Sequence, residues 1–299
     1  MAKILVAGLI NIETTLRIED FPILYQPVRF PFWGVNSTVS GVGYNLARAL
    51  TVLGDDARFL ALIGRDGLGQ LALQSLEADA IPRQHVLPVL THTPQSVILY
   101  DGSGRRAINV DLKDIQEQSY PWAEFESALA GCDLAALCNI NFARSFLEAT
   151  TTRGIPIATD VHTIADLEDA YNRDFMAAAD ILFMSHEALP VAPEVWARRI
   201  LERFGPKIVV IGLGCEGALL VERRPEALVR LPAVFTRPVV NSIGAGDALF
   251  SAFIHFYARE RNAYDALRKA VVFASYKIGE TGAAAGFLTE AELLAWCKR

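Results

Sequence analysis

"VVNSIGAGDALFSAF", Val239–Phe253, is the stretch on which the reading of this chain turns. An apolar run crosses Gly244, Ala245 and Gly246, meets Asp247, and continues as an amphipathic segment. A helix N-terminus leaves backbone N–H groups unpaired and carries partial positive charge, so it attracts anions. Small residues there let a ligand's oxygens approach those N–H groups closely. Two readings stand at this level: an anion-binding helix start, or a glycine turn followed by an acidic residue that complements the helix dipole.

Outward from that stretch the chain alternates. "KILVAGL" (Lys3–Leu9) reads as a buried strand, and "GYNLARALTVLG" places Leu46, Ala49, Leu50 and Leu53 at helical spacing with Gly54 as a stop. "ARFLALIG" is a further strand and "LGQLALQSLEADA" a further helix. Later strands are expected at "DLAALCNI", "IPIATDV", "DILFMS", "KIVVIGLG" and "PVVN", most of them separated by helical patterns. This order predicts an α/β fold: a mainly parallel sheet with helices on both faces.

Two stretches break the alternation. Ile10–Ser40 is rich in proline and aromatics, and Pro94–Leu112 alternates about a Gly-Ser-Gly turn as a β-hairpin does. Both are expected to form an antiparallel accessory sheet at the edge of one domain that spans residues 1–299.

The bounds on function are broad. A chain of 299 residues with formal charge −6 and no basic block lacks the electrostatic footprint of a nucleic-acid binder. It gives no sign of attachment to an anionic membrane either. "MAKILVAGLINIE" turns polar too soon for a signal peptide or membrane span. Cys132, Cys138, Cys215 and Cys297 form no C-x-x-C pair, so neither a zinc site nor a disulfide framework is indicated, and a cytoplasmic setting is expected. "HEALP" begins like a zincin helix, but Pro190 stands where the second histidine belongs.

Gly212-x-Gly214-x-x-Gly217 satisfies the dinucleotide fingerprint, yet the following "ALLVERR" reads as a strand where that motif needs a helix. A strand–turn–strand that brings backbone near a nucleotide, or a plain tight hairpin, fits better. No G-x-x-x-x-G-K-[ST] loop occurs. Nearer the N-terminus, "SGVGYNLARALTVLG" sets Gly41, Gly43 and Asn45 at a helix start. There Asn45 either meets a polar ligand or braces its own helix.

Taken together, these segments resemble the ribokinase-like (PfkB-type) carbohydrate kinases. "NSIGAGDALFSAFI" fits that family's C-terminal signature. The N-terminal signature runs through Asn45, Ala47 and Gly54 to Gly64, with Ser40 where Ala or Gly is usual. "IGLGCEGALLV" looks like the nucleotide-binding turn, and "FASYKIGETGAAAGF" like the adenine-side segment. The resemblance implies a three-layer α/β/α domain with a small β lid, about residues 10–40 and 94–112. It implies an ATP-dependent kinase acting on a hydroxyl of a sugar or sugar-like molecule, with Asp247 as general base. The backbone of Ile243, Gly244, Ala245 and Gly246 would form the anion hole, a pairing that suits phosphoryl transfer. Asn11, Glu13, Gly41, Gly43 and Asn45 would contact the acceptor; Gly212, Gly214, Gly217, Ile243 and Gly282 would line the nucleotide. A surface aspartate at a helix terminus is expected to be ionised with an ordinary pKa.

Three departures from the family pattern matter. Glu13 replaces the usual Asp, lengthening the side chain by a C–C bond of about 1.5 Å. "SHEA" at Ser185–Ala188 replaces N-x-x-E, which leaves Glu187 as the only candidate for organising Mg2+ through water, with the metal carried mainly by ATP phosphates. Val42 stands where ribokinase proper tends to have lysine. Tyr25, Phe30, Phe32 and Trp33 near the lid are read mainly as packing a small sheet or a homodimer contact; stacking on a nucleobase or sugar face is the rival reading. Arg105 and Arg106 are read as a solvated turn. The competing functions are a nucleoside kinase of the same fold and a non-catalytic nucleotide- or sugar-binding protein; a dehydrogenase fits poorly.

Overall fold

Strand residues of the main sheet alternate between two apolar cores, so helices must cover both faces. The computed structural model describes all 299 residues and contains 13 strands. These are β1 (Lys3–Ala7), β2 (Asn11–Arg17), β3 (Val35–Ser40), β4 (Asp56–Gly64), β5 (Val86–Leu90), β6 (Gln95–Tyr100) and β7 (Arg106–Asp111). The remainder are β8 (Leu134–Leu137), β9 (Ile157–Asp160), β10 (Ile181–Ser185), β11 (Ile208–Gly212), β12 (Ala218–Arg223) and β13 (Glu226–Leu231). Nine of them form one sheet in the order β13-β12-β11-β10-β9-β8-β1-β4-β5. It is parallel from β11 to β5, with the antiparallel hairpin β12–β13 at one edge.

In β1, Ile4 and Val6 face one core, and Leu5 and Ala7 the other. Helices Val42–Leu53, Ala245–Glu260 and Ala263–Lys277 bury their apolar faces in the first. Phe125, Phe175 and Trp196, from three further helices, fill the second. This is the expected three-layer arrangement. Parallel pairing sends every β1 and β8–β11 carboxyl end to the same edge, where ligands bind in open α/β sheets.

The accessory sheet has the order β3-β2-β6-β7. Its β2–β3 and β6–β7 pairs are antiparallel, whereas β2 and β6 run parallel. Residues between β2 and β3 form no strand, and their aromatics do not pack the sheet: Tyr25, Phe30, Phe32 and Trp33 are all exposed. That corrects the packing expectation for these four side chains within the chain. Two local readings also change. "PVVN" is a loop, because Val239 and Val240 are exposed and the Val240 N–H bonds the Ile278 carbonyl at 2.9 Å instead of a sheet neighbour. The sheet edge there belongs to β13, whose alternating "EALVRL" follows Pro225 and is not among the expected strands. No helix is long and apolar enough to cross a membrane.

Candidate active site

Asp247 lies in the first turn of the helix Ala245–Glu260, whose N-cap is Gly244 at φ +76°. A Cβ on Gly244 would sit 2.4 Å from the Ala283 carbonyl oxygen, so both conformation and space require glycine there. At Gly246 the opposite holds. A Cβ there would meet nothing within 4 Å, so its missing side chain leaves open space in front of the helix end.

The backbone donors divide in a way that amends the expected anion hole. The Ile243 N–H is taken by Asn241 Oδ1 at 3.0 Å in a local side-chain turn, and the Ala245 N–H reaches the Ser242 carbonyl at 3.2 Å. The N–H groups of Gly244, Gly246 and Asp247 have no acceptor within the chain. Ile243 and Ala245 therefore shape the turn, and the free donors belong to Gly244, Gly246 and Asp247.

Asn45, on the helix Val42–Leu53, donates from Nδ2 to Asp247 Oδ2 at 2.6 Å, joining the two glycine-rich segments of the chain. Asn45 thus orients the carboxylate. Asp247 is half-buried, and burial raises its pKa above the ordinary carboxylate range. The Asn45 hydrogen bond and the nearby His162 and Lys277 charges pull it down, while Asp160 pushes it up. The expectation of a surface aspartate with an ordinary pKa is corrected accordingly. Desolvation makes Asp247 a stronger base than a surface aspartate.

Linked to Asn45 through Ser40, β2 turns Asn11 and Glu13 toward the same buried side, as period 2 requires. Asn11 Nδ2 donates to Ser96 Oγ at 3.1 Å. The Ser40 hydroxyl lies 3.1 Å from Glu13 Oε2 and 3.3 Å from Asn45 Oδ1. Ser40 and Glu13, two departures from the family pattern, are thus one feature: the longer carboxylate is held by the hydroxyl that replaces a small residue. Asn11 Oδ1 and Glu13 Oε1 are buried and have no partner. Burial raises the Glu13 pKa, opposed by the Ser40 hydrogen bond. Buried acceptors without donors are costly, and hydroxyl groups of a bound polyol are the partners that suit them.

The remaining glycines have distinct explanations. Gly41 is the N-cap of its helix at φ +104°, and Gly43 packs on Gly8 so tightly that a Cβ would fall 2.6 Å from the Gly8 carbonyl carbon. Gly217, at φ +102°, would place a Cβ 2.0 Å from the Leu231 carbonyl oxygen, so it is required by the β12–β13 edge. Gly212 ends β11 and Gly214 starts the turn to β12; the Gly212 carbonyl accepts from the His186 N–H at 2.9 Å. Gly282, at φ +80°, lies against Thr38 of the lid. Beneath the lid, Ile98 packs on Ile243 and Ala283.

Glu187 is exposed and faces the Arg106 guanidinium at 3.9 Å. No group of three or more His, Cys, Asp or Glu side chains gathers to hold a metal. Arg106 is exposed but not free: its Nη1 donates to Ser242 Oγ at 2.9 Å, tying the lid to the turn that precedes the helix Ala245–Glu260. Sequence reading missed Ser96 and Lys277. Lys277 carried a signal: it follows Ala266, Ala270 and Phe273 at intervals of four, three and four, a lysine on a buried helical stripe.

A half-buried carboxylate beside unpaired helix-terminal donors, with unmet amide and carboxylate oxygens nearby, suits an alcohol phosphotransferase. The chain belongs to the pfkB family of carbohydrate kinases, whose model matches residues 1–290. It is 25% identical over 295 residues to an acarbose 7(IV)-phosphotransferase from Actinoplanes, covering 97% of each chain. Over 317 residues it is 25% identical to a Lactococcus lactis ribokinase, covering 100% of this chain and 98% of the relative. Among solved structures, a microbiome-derived acarbose kinase shares the fold with TM-score 0.87 at 24% identity, over 100% of this chain and 99% of the other. Thermotoga maritima ribokinase does so with TM-score 0.78 at 22% identity, over 100% of both chains. The protein is an ATP-dependent carbohydrate kinase.

Proposed function

We propose that Asp247 removes the proton from an acceptor hydroxyl while the Gly244, Gly246 and Asp247 N–H groups receive the γ-phosphoryl oxygens of ATP. The observation that carries this is the 2.6 Å Asn45–Asp247 hydrogen bond, which aims the carboxylate beside donors that have no partner in the chain. Phosphoryl transfer depends chiefly on positioning and on stabilising charge, which this arrangement supplies. The open space at Gly246 fits a phosphate, and Gly212, Gly214 and Gly282 are assigned to the nucleotide side. ATP arrives with Mg2+ held mainly by its own phosphates, since Glu187 stands alone beside Arg106. Asn11, Glu13 and Asn45 hold the acceptor.

The acceptor is a sugar, a reading supported by the unmet Asn11 and Glu13 acceptors and by relatives named for acarbose, ribose and ribose 1-phosphate. A nucleoside is the second reading, favoured by the exposed Tyr25, Phe30, Phe32 and Trp33 and by a relative named guanosine-inosine kinase. Those same aromatics suit a homodimer contact through the lid. The whole chain works as one kinase domain, and its four free cysteines suit a cytoplasmic setting.

The test is ATP consumption with Mg2+ across acarbose, ribose, deoxyribose, ribose 1-phosphate, simple hexoses, guanosine and inosine. Stimulation by a sugar and not by the nucleosides is expected. Turnover confined to nucleosides would establish the second reading, and no acceptor-dependent consumption would contradict both.

A further inference from the structure

Lys277 ends the helix Ala263–Lys277 and is fully buried, with 0% of its surface exposed. Its Nζ donates to the Ile243 carbonyl, and that is its only hydrogen bond. The contrast with Lys269, the other buried lysine, is informative. Lys269 meets both oxygens of Glu260, at 2.6 and 2.8 Å, as an ordinary ion pair. Lys277 has no carboxylate within contact distance, although an ammonium has three donors and is costly to bury unpaired. The one carbonyl it holds belongs to the residue whose N–H is already fixed by Asn241. Ile243 is thereby held at both of its flanking peptides, and the one whose carbonyl Lys277 holds also carries the free Gly244 N–H.

We infer that Lys277 is a built-in cation beneath the phosphoryl-binding turn. Its ammonium fixes the Ile243 carbonyl so that the following N–H groups face the cleft. Its charge offsets the negative charge that Glu13, Asp247 and the arriving phosphates bring together. Lys277 is a positioning residue, and its role rests on the assignment of Asp247 and the turn given above. Fixed charge in a desolvated site acts strongly on developing charge without reorganisation.

The groups facing Lys277 define a pH dependence. Burial pulls its pKa down to about 8; Asp247, Glu13 and Glu280 oppose that, and Arg237, itself 3.1 Å from Glu280, adds to it. The charged form, and the help it gives, is therefore lost as pH rises through about 8 in the enzyme without nucleotide. The same charge lowers the Asp247 pKa, so removing it moves the acid limb of activity to higher pH.

The experiment measures kcat/KM for ATP against pH, because this ratio reports groups in the enzyme before ATP binds. It uses the acceptor of highest turnover from the panel above, or ATP hydrolysis to water where no acceptor stimulates. The wild type is expected to lose activity above about pH 8. Lys277→Met is expected to lower kcat/KM at neutral pH by roughly 10- to 100-fold, to lack that basic limb and to shift the acid limb upward. A purely structural lysine would lower activity without moving either limb. A wild-type profile flat to pH 9.5 overturns the inference whether or not the variant folds; so does a folded Lys277→Met with both limbs in place. Asp247→Asn separates the two levels. If it keeps full turnover, the underlying assignment fails; if it is inactive while the Lys277 profiles do not differ, only the Lys277 role fails.

Discussion

The two walls of the cleft carry opposite kinds of unmet hydrogen-bonding groups. On the lid side, Asn11 Oδ1 and Glu13 Oε1 are acceptors without donors. On the helix side, the Gly244, Gly246 and Asp247 N–H groups are donors without acceptors. Buried polar groups in native proteins are nearly always satisfied, so the two orphaned acceptors describe the partner they await, while the donors are those that a helix start leaves open to an anion. Hydroxyls suit the first wall and phosphate oxygens the second, and Asp247 stands where the two meet. On the proposed assignment each substrate is oriented by its own wall, and the carboxylate between them has only a proton to remove.

That contrast can be broken at several points. Asp247→Asn keeps the shape and removes the base, and kcat should fall by about 10²- to 10⁴-fold in steady-state assays. Gly244→Ala attacks the donor wall alone. Its Cβ would press on the Ala283 carbonyl from a left-handed backbone, which costs about 1–3 kcal/mol and displaces the free N–H groups. A lowered Tm together with poor ATP binding is expected, and a variant indistinguishable from wild type would show that the turn tolerates a side chain.

Glu13→Gln tests the acceptor wall. Losing a charge-assisted hydrogen bond to a hydroxyl should lower kcat/KM for the acceptor by roughly 10- to 100-fold, leaving KM for ATP nearly unchanged. An effect on ATP instead would mean that the walls are assigned the wrong way round. Arg106→Ala should matter least. Its contacts with Ser242 and Glu187 are partly exposed, and such pairs contribute about 0–1 kcal/mol, so a fivefold change in KM is roughly the ceiling. A much larger loss would move Arg106 from lid fastening to phosphate contact.

Much of this was legible from residues alone. Alternation of apolar strands and periodic helices gave the three layers, and the GAGD stretch gave the donor wall, because both are local patterns. The resemblance implied Asn45 and Asp247 in one site but not their hydrogen bond, since no local rule joins residues so far apart. Tertiary context hid the rest. The expectation of an ordinary pKa for Asp247 leaves out burial, which raises it. The proposed donor set differs from the expected one at two residues, because Asn241 Oδ1 takes the Ile243 N–H and the Ser242 carbonyl the Ala245 N–H. Ser40 and Glu13 looked like unrelated departures until strand register placed one against the other. "PVVN" had strand composition without a free sheet edge to join.

Single-turnover phosphoryl transfer by Asp247→Asn, preloaded with ATP and acceptor, probes the base assignment without interference from binding or release. Transfer slowed by about 100-fold or more, with ATP and acceptor affinities near those of wild type, is the predicted result. Transfer at the wild-type rate would contradict the account.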